Sequence, residues 1–463
     1  MSRESVIESL AAHYDDGTYL NDLARRVAYK TESQVPASRP HLYTYLQEEI
    51  GPALERMGYE VQIIENPVPD GGPFLVGRRI EDAVLPTVLT YGHGDVVRGL
   101  EPEWQEGLDP WTLKIDGEKI YGRGVADNKG QHTINMAALA AVIEARGSLG
   151  FNSIFMIETS EEIGSPGIKE FCAQYKDLIA ADLLIASDGP RLTPARPTIY
   201  LGARGAMNID FDLRLRAGGH HSGNWGGLLA NPGMILAHAL STIVDRNGKV
   251  LVRELVPERI PNSVRAALAD CEIDPGEEGP AIDVDWGEPG LTPIERVFAW
   301  NTFEILAFRT GNPDNPVNAV PPRASAHCQI RYTVDRDPET FVPAIRRHLD
   351  AHGFEDIQVA EAEGRSMWGA TRMDPDHPWV QWAAGSVERT MGAKPALLPN
   401  IGGSLPNDVF ADILGMPTIW VPHSYAGCSQ HAPNEHGIAP ILREGLLIMG
   451  GLFWDMGEGP RPA

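Results

Sequence analysis

Two kinds of hydrophobic periodicity divide the chain. The runs Pro86-Thr-Val-Leu-Thr-Tyr91, Asn152-Ser-Ile-Phe-Met-Ile157 and Ala181-Asp-Leu-Leu-Ile-Ala186 are short and almost continuously apolar, the pattern of strands buried on both faces of a parallel sheet. Between them, Ile134 to Arg146 and Ile168 to Ala173 carry helical spacing, which predicts right-handed β-α-β crossovers. Upstream, Leu46 to Met57 reads as an amphipathic helix, and Tyr59 to Ile64 as a strand that follows a turn at Gly58.

From Tyr200 the pattern changes. Asn208 to Arg216 and Ser325 to Val334 alternate apolar and polar residues, as half-solvated antiparallel strands do. Helices are expected over Met234 to Val244 and Pro338 to Ala351, and the acidic, Pro/Gly-rich stretch Asp270 to Pro293 suits an exposed loop. Beyond about Asp374 the first pattern resumes, with a helix over Trp379 to Met391 and a strand over Pro417 to Val421. The expected fold is α/β: a doubly wound, mostly parallel sheet built from residues 1–205 and 372–463, interrupted by an inserted α+β domain over 206–371. A chain of 463 residues is too long for one ordinary core, which agrees with two domains.

Charge narrows the partners. Lys+Arg 39 against Asp+Glu 63 leaves a formal net charge of -24, unfavourable for nucleic acid or an anionic membrane surface. The four cysteines, Cys172, Cys271, Cys328 and Cys428, are far apart and form no C-x-x-C pair, so a reducing, cytoplasmic setting is expected. Residues 1–19 lack the basic-then-apolar order of a signal peptide, and no apolar run approaches the roughly 18 residues of a membrane span.

The chemistry collects where the strands end. The first apolar run leads to Gly92-His93-Gly94-Asp95, the second to Glu158-Thr-Ser-Glu161-Glu162, the third to Ser187-Asp188-Gly189, and the last to the loop that holds His431. A glycine-dense turn, Tyr121-Gly-Arg-Gly-Val-Ala-Asp127-Asn-Lys-Gly130, aims a further carboxylate just ahead of a helix. Singly, each has an ordinary reading as a turn or a solvated helix start. Together they lie beyond the carboxyl ends of the strands, where open α/β sheets place ligands.

Imidazole nitrogen and carboxylate oxygen without thiolate suit zinc, manganese or cobalt in a catalytic site. One bridging carboxylate, read here as Asp127, with a His and an acid on either side would hold two divalent cations about 3.5 Å apart. Asp95 is then free to fix the tautomer of His93, and Glu161 to act as a base. A nucleotide-binding oxidoreductase is not supported, because no G-x-G-x-x-G follows Gly122-Arg-Gly124. An intact Glu161 argues against a metal-binding scaffold that has lost turnover.

The motifs Gly92-His93-Gly94-Asp95, Gly122-Arg-Gly-x-x-Asp127-x-Lys-Gly130, Glu161-Glu162-x-Gly164, Asp188-Gly189 and His431-x-x-Asn434-Glu435 occur in this order across nearly the whole chain. In this the sequence resembles the dizinc amidohydrolase and exopeptidase family of aminoacylase, carboxypeptidase G, acetylornithine deacetylase and carnosinase-type dipeptidases. The resemblance implies that His93 and Asp188 bind one metal and Glu162 and His431 the other, with Asp127 between them. It also implies Glu161 as general base, Asp95 orienting His93, and a cis peptide at Asp127-Asn128. The inserted domain would be a lid and dimer interface. Gly219-His220-His221-Ser222-Gly223 resembles the dipeptidase branch, in which the histidine matched by His221 steadies the oxyanion in the partner subunit. Asn318, Arg331, Gly403 and Ser404 match positions that hold the substrate and its carboxylate. The expected reaction is therefore hydrolysis of an amide in a dipeptide or short peptide with a free carboxylate, by water activated between two cations, in a homodimer. Hydrolysis of an N-acyl amino acid by the same site is the alternative.

Overall fold

The computed structural model describes residues 2–274, 280–362, 368–459 and 461–462. Within the apolar runs, neighbouring side chains fall into two different cores. Val88, Phe155, Ile157, Leu183, Ile185 and Ile419 belong to one apolar layer. Leu89, Tyr91, Ile154, Met156, Leu184 and Trp420 belong to another. Successive strand residues point to opposite faces, so a continuous apolar run signals a sheet covered on both sides.

That sheet has eight strands, in the order Glu60–Ile64, Phe74–Arg79, Asn152–Glu158, Thr87–His93, Leu183–Ala186, Thr418–Trp420, Thr198–Tyr200 and Ala396–Leu398. Its middle is parallel: Thr87–His93 pairs with both Asn152–Glu158 and Leu183–Ala186, and Leu183–Ala186 with Thr418–Trp420. The sheet as a whole is mixed, because Phe74–Arg79 runs antiparallel to both of its neighbours and Thr418–Trp420 meets Thr198–Tyr200 antiparallel.

Helix Lys129–Arg146 covers one face together with Arg3–Asp15 and the 20-residue helix Ala439–Glu458. The last of these escapes a periodicity reading, since it is apolar nearly all round and contains Gly445, Gly450 and Gly451. Tertiary burial, not propensity, holds it. The helix expected over Leu46 to Met57 starts earlier, at Arg39, and passes through a π-helical segment, Tyr45–Ile50, before Gly51–Arg56. Pro52 has no N–H for an i→i−4 bond, and the Gly51 amide instead reaches back to the Leu46 carbonyl.

The chain leaves the large sheet after Thr198–Tyr200 and rejoins it at Ala396–Leu398. Between them lies a four-stranded antiparallel sheet, in the order Thr302–Thr310, Arg323–Tyr332, Gly205–Arg214 and Gln358–Glu361. Its alternating inward residues, Met207, Ile209, Phe211 and Leu213 with Ala324, Ala326, Cys328 and Ile330, form a third core with helices Pro232–Ile243 and Phe341–Ala351. Within the acidic stretch Asp270 to Pro293, residues 275–279 lie outside the described residues, and the remainder up to helix Pro293–Phe298 has no helix or strand. No helix among the described residues is long and apolar enough to cross a membrane.

Candidate metal centre

Strand order determines which side chains meet. His93 ends strand Thr87–His93, Glu161 and Glu162 open a single 3₁₀ turn beyond Asn152–Glu158, and Asp188 lies two residues past Leu183–Ala186. These three strands are parallel neighbours, so their carboxyl ends share one edge. Asp127 comes from the turn ahead of helix Lys129–Arg146. Gly124 in that turn has φ +89°, and a Cβ at Gly130, in the first turn of the helix, would lie 2.0 Å from the Val125 carbonyl oxygen, so each position demands glycine for a different reason. The Asp127-Asn128 peptide is cis.

Two triads result, His93–Asp127–Asp188 and Asp127–Glu162–His431, each with ligand atoms within 4.8 Å of one another. His93 Nε2 lies 2.8 Å from Asp127 Oδ1 and 3.8 Å from Asp188 Oδ2. His431 Nε2 lies 3.2 Å from Asp127 Oδ2 and 3.0 Å from Glu162 Oε2. The two oxygens of Asp127 therefore face different histidines. His93 is fully buried whereas the His431 side chain is 57% exposed, so the cluster opens to solvent on the His431 side.

Electrostatics follow from crowding acids in a poorly solvated place. Burial, reinforced by the Asp127 charge, pushes Glu162 up to about 7 and Asp188 up to about 6. Burial likewise drives Glu161 well above the usual carboxylate range, against the His93 charge and with the help of Glu162, Asp188 and Asp127. At Asp127 burial is outweighed by hydrogen bonds from His431 and His93, and the carboxyl is held below its ordinary value. Hydrogen bonds to Asp127 and Glu162 raise His431 to about 11. A divalent cation in either triad would supply the positive charge these acids otherwise draw from protons and imidazolium.

Two buried carboxylates tie down the turns that carry these side chains. Asp95 accepts hydrogen bonds from the Glu161 and Glu162 backbone amides at 3.1 Å each, and its Oδ1 lies 3.5 Å from His93 Nδ1. The nearer acceptor for that ring nitrogen is the Asp95 backbone carbonyl, at 3.1 Å. Asp95 thus anchors the glutamate turn as well as the histidine. Glu435 accepts from the amides of Gly124, Ala126 and Asp127 and from Arg123 Nη1. It was visible in the sequence only as the end of a motif, because nothing local shows what a buried loop acid accepts.

The other candidate residues form two separate groups. Arg331 Nη1 donates to the Ser404 hydroxyl at 2.8 Å, which donates in turn to the Arg204 carbonyl, and Gly403 beside them is exposed. His221 and Asn318 are also together: the Asn318 carbonyl accepts from the Ser222 amide at 2.8 Å, and His221 pairs with Ala319. Both are exposed, and His221 Nδ1 accepts from the Gly223 amide. Cys428 and His423 are buried.

Five nitrogen and oxygen donors with no sulfur fit hard or borderline divalent cations. Comparison with known proteins agrees. The model of peptidase family M20/M25/M40 matches residues 89–453. The chain is 25% identical to human Beta-Ala-His dipeptidase over 98% of this chain and 93% of that protein. It is also 25% identical to Cysteinylglycine-S-conjugate dipeptidase of Corynebacterium striatum, over 83% of each. The solved structure of the di-peptidase Dug1p from Saccharomyces cerevisiae superposes with a TM-score of 0.78 at 21% identity, covering 99% of both chains, and so shares the fold. The motif order, the two triads and a match spanning most of the length lead to one conclusion: the chain belongs to peptidase family M20/M25/M40.

Proposed function

We propose that this chain is a dinuclear, metal-dependent dipeptidase, with residues 206–371 as its lid and dimerisation domain. The observation that carries the reading is the pair of triads that share Asp127 and contain no thiolate. His93 and Asp188 would hold one cation, Glu162 and His431 the other, and Asp127 both. Zinc suits this donor set best, and manganese and cobalt share its preference. When bound, such cations acidify water and polarise the scissile carbonyl.

Around them the chain's own groups divide the work. Glu161 takes the proton from the attacking water and returns it to the leaving nitrogen. Asp95 holds His93 and fixes the backbone of the turn that carries Glu161 and Glu162. Arg331 and Ser404, with the backbone at Gly403, receive the substrate carboxylate, since a guanidinium matches it in geometry and charge. His221, with Asn318 beside it, donates to the oxyanion.

Supply of His221 by a second copy is supported by the apolar groups that residues 206–371 expose. Strand Thr302–Thr310 is the edge of its sheet and exposes Ile305, Leu306 and Phe308, and Trp225, Leu228 and Val317 are exposed near His221 in sequence or beside Asn318. An unpaired edge strand that exposes apolar groups favours pairing with a second copy.

Elemental analysis of the purified protein, combined with a panel of dipeptides, dipeptide amides and N-acetyl amino acids read by released amine, tests the reading. Two equivalents of divalent metal and cleavage of dipeptides are expected. A metal-free chain with undiminished activity, or cleavage of N-acetyl amino acids alone, would overturn it.

A further inference from the structure

The segments that carry Asp127 and His431 are 304 residues apart in sequence, yet one side chain joins them. Residues His436–Ile438 pair antiparallel with Lys119–Tyr121. The ladder continues one step, as the Gly122 amide donates to the Glu435 carbonyl at 3.0 Å. There the backbone ladder stops and the Glu435 side chain takes over. Its Oε1 accepts from the amides of Gly124 at 3.0 Å, Ala126 at 3.0 Å and Asp127 at 3.1 Å. Its Oε2 accepts from Arg123 Nη1 at 2.8 Å. Glu435 is 1% exposed and Arg123 fully buried, so neither group has solvent as a substitute partner.

From this geometry we infer that Glu435 is a positioning residue for the bridging ligand: it latches the 122–127 turn to the His431 loop and so sets the Asp127 carboxylate between the two triads. The inference rests on the metal-dependent reading above and adds to it a residue that touches neither cation nor substrate. Three amides on one oxygen and a guanidinium on the other bond most strongly to an ionised carboxylate. Glutamine is no isostere here, because both oxygens accept. Its amide nitrogen would face either the three backbone donors or Arg123, donor against donor. Loss of a residue that orients metal ligands lowers affinity about 10- to 100-fold.

The test compares wild type, Glu435→Gln and Glu435→Ala, each stripped by chelation and shown to be folded by circular dichroism. Zinc is titrated against a chromophoric chelator, and cobalt(II) absorption reports the ligand field. The expected result is that wild type takes up two equivalents, while both variants bind about 10- to 100-fold more weakly and give an altered cobalt spectrum. A folded variant with wild-type affinities and an unchanged spectrum would overturn the inference, even if its melting temperature fell. Should the variants fail to fold, hydrogen exchange in the apo wild type decides: slow exchange of the amides at 124, 126 and 127 is expected, and free exchange there would overturn the latch. A wild-type chain that binds no cation would instead sink the functional reading, which is a separate result.

Discussion

Arg331 donates to the Ser404 hydroxyl at 2.8 Å, although Arg331 lies in the antiparallel sheet and Ser404 in a loop that follows strand Ala396–Leu398 of the large one. With Nε on Gln329 as well, at 2.9 Å, the guanidinium fork is held in one orientation. Arg204 ties the same place from below, donating to the Arg331 carbonyl and accepting from Ser404. A substrate group bound here would thus be gripped by both parts of the chain at once.

Replacing Arg331 by Ala should raise KM for a dipeptide about 10- to 100-fold, the worth of a hydrogen bond to a charged group, with a smaller effect on kcat. The corresponding dipeptide amide, which lacks the carboxylate, should be almost unaffected. Equal losses on both substrates would remove Arg331 from carboxylate binding.

If Glu161 serves in proton transfer and not in ligation, as proposed, Glu161→Ala should keep both metals and lose turnover by about 10²- to 10⁴-fold. Elemental analysis and kcat on the same preparation check this. Loss of one metal equivalent would reassign Glu161 as a ligand, and full activity would take it out of the reaction.

Acid sensitivity should come partly from His423. Its imidazole is fully buried, and among the described residues neither ring nitrogen has a hydrogen-bond partner. Burial, helped by the Arg191 charge, holds its pKa well below the ordinary value. As pH falls below about 6.5 the unfolded chain binds a proton that the folded chain refuses, so stability is lost on the acid side and is indifferent above it. The slope reaches about 1.4 kcal/mol per pH unit for one such group. Urea midpoints of the apo protein at pH 7.5 and pH 5 should converge in His423→Leu relative to wild type. An unchanged difference between the two pH values would show that His423 contributes nothing.

Placing charge on the exposed edge strand should separate the copies. Leu306, 52% exposed, and Phe308 are far from the triads in sequence and lie on the four-stranded antiparallel sheet. Sedimentation velocity should show a dimer for wild type and a monomer for the Leu306→Arg, Phe308→Arg double variant, with activity lower by about 10²-fold or more as His221 is withdrawn. His221→Ala should reproduce that loss while remaining dimeric. A wild-type monomer with full activity would end the proposal of a shared site.

What the sequence determined by itself was the central strands, several of the helices and the identity of the chemistry. Apolar runs at Pro86 to Tyr91 and Asn152 to Ile157 announce strands covered on both faces, and each is followed closely by acids or a histidine, because ligands gather beyond the carboxyl ends of parallel strands. His93, Asp127, Glu162, Asp188 and His431 are therefore legible in the sequence as candidate ligands. Tertiary structure alone decided which of these share a cation-sized space, since proximity depends on strand order and not on separation along the chain. It also decided what no local pattern encodes: that Glu435 accepts from the turn holding Asp127, that Asp95 anchors the glutamate turn, and that the glycine-interrupted helix Ala439–Glu458 is held by burial. Those contacts join residues distant in sequence, and their free energy exists only once the chain has closed upon itself.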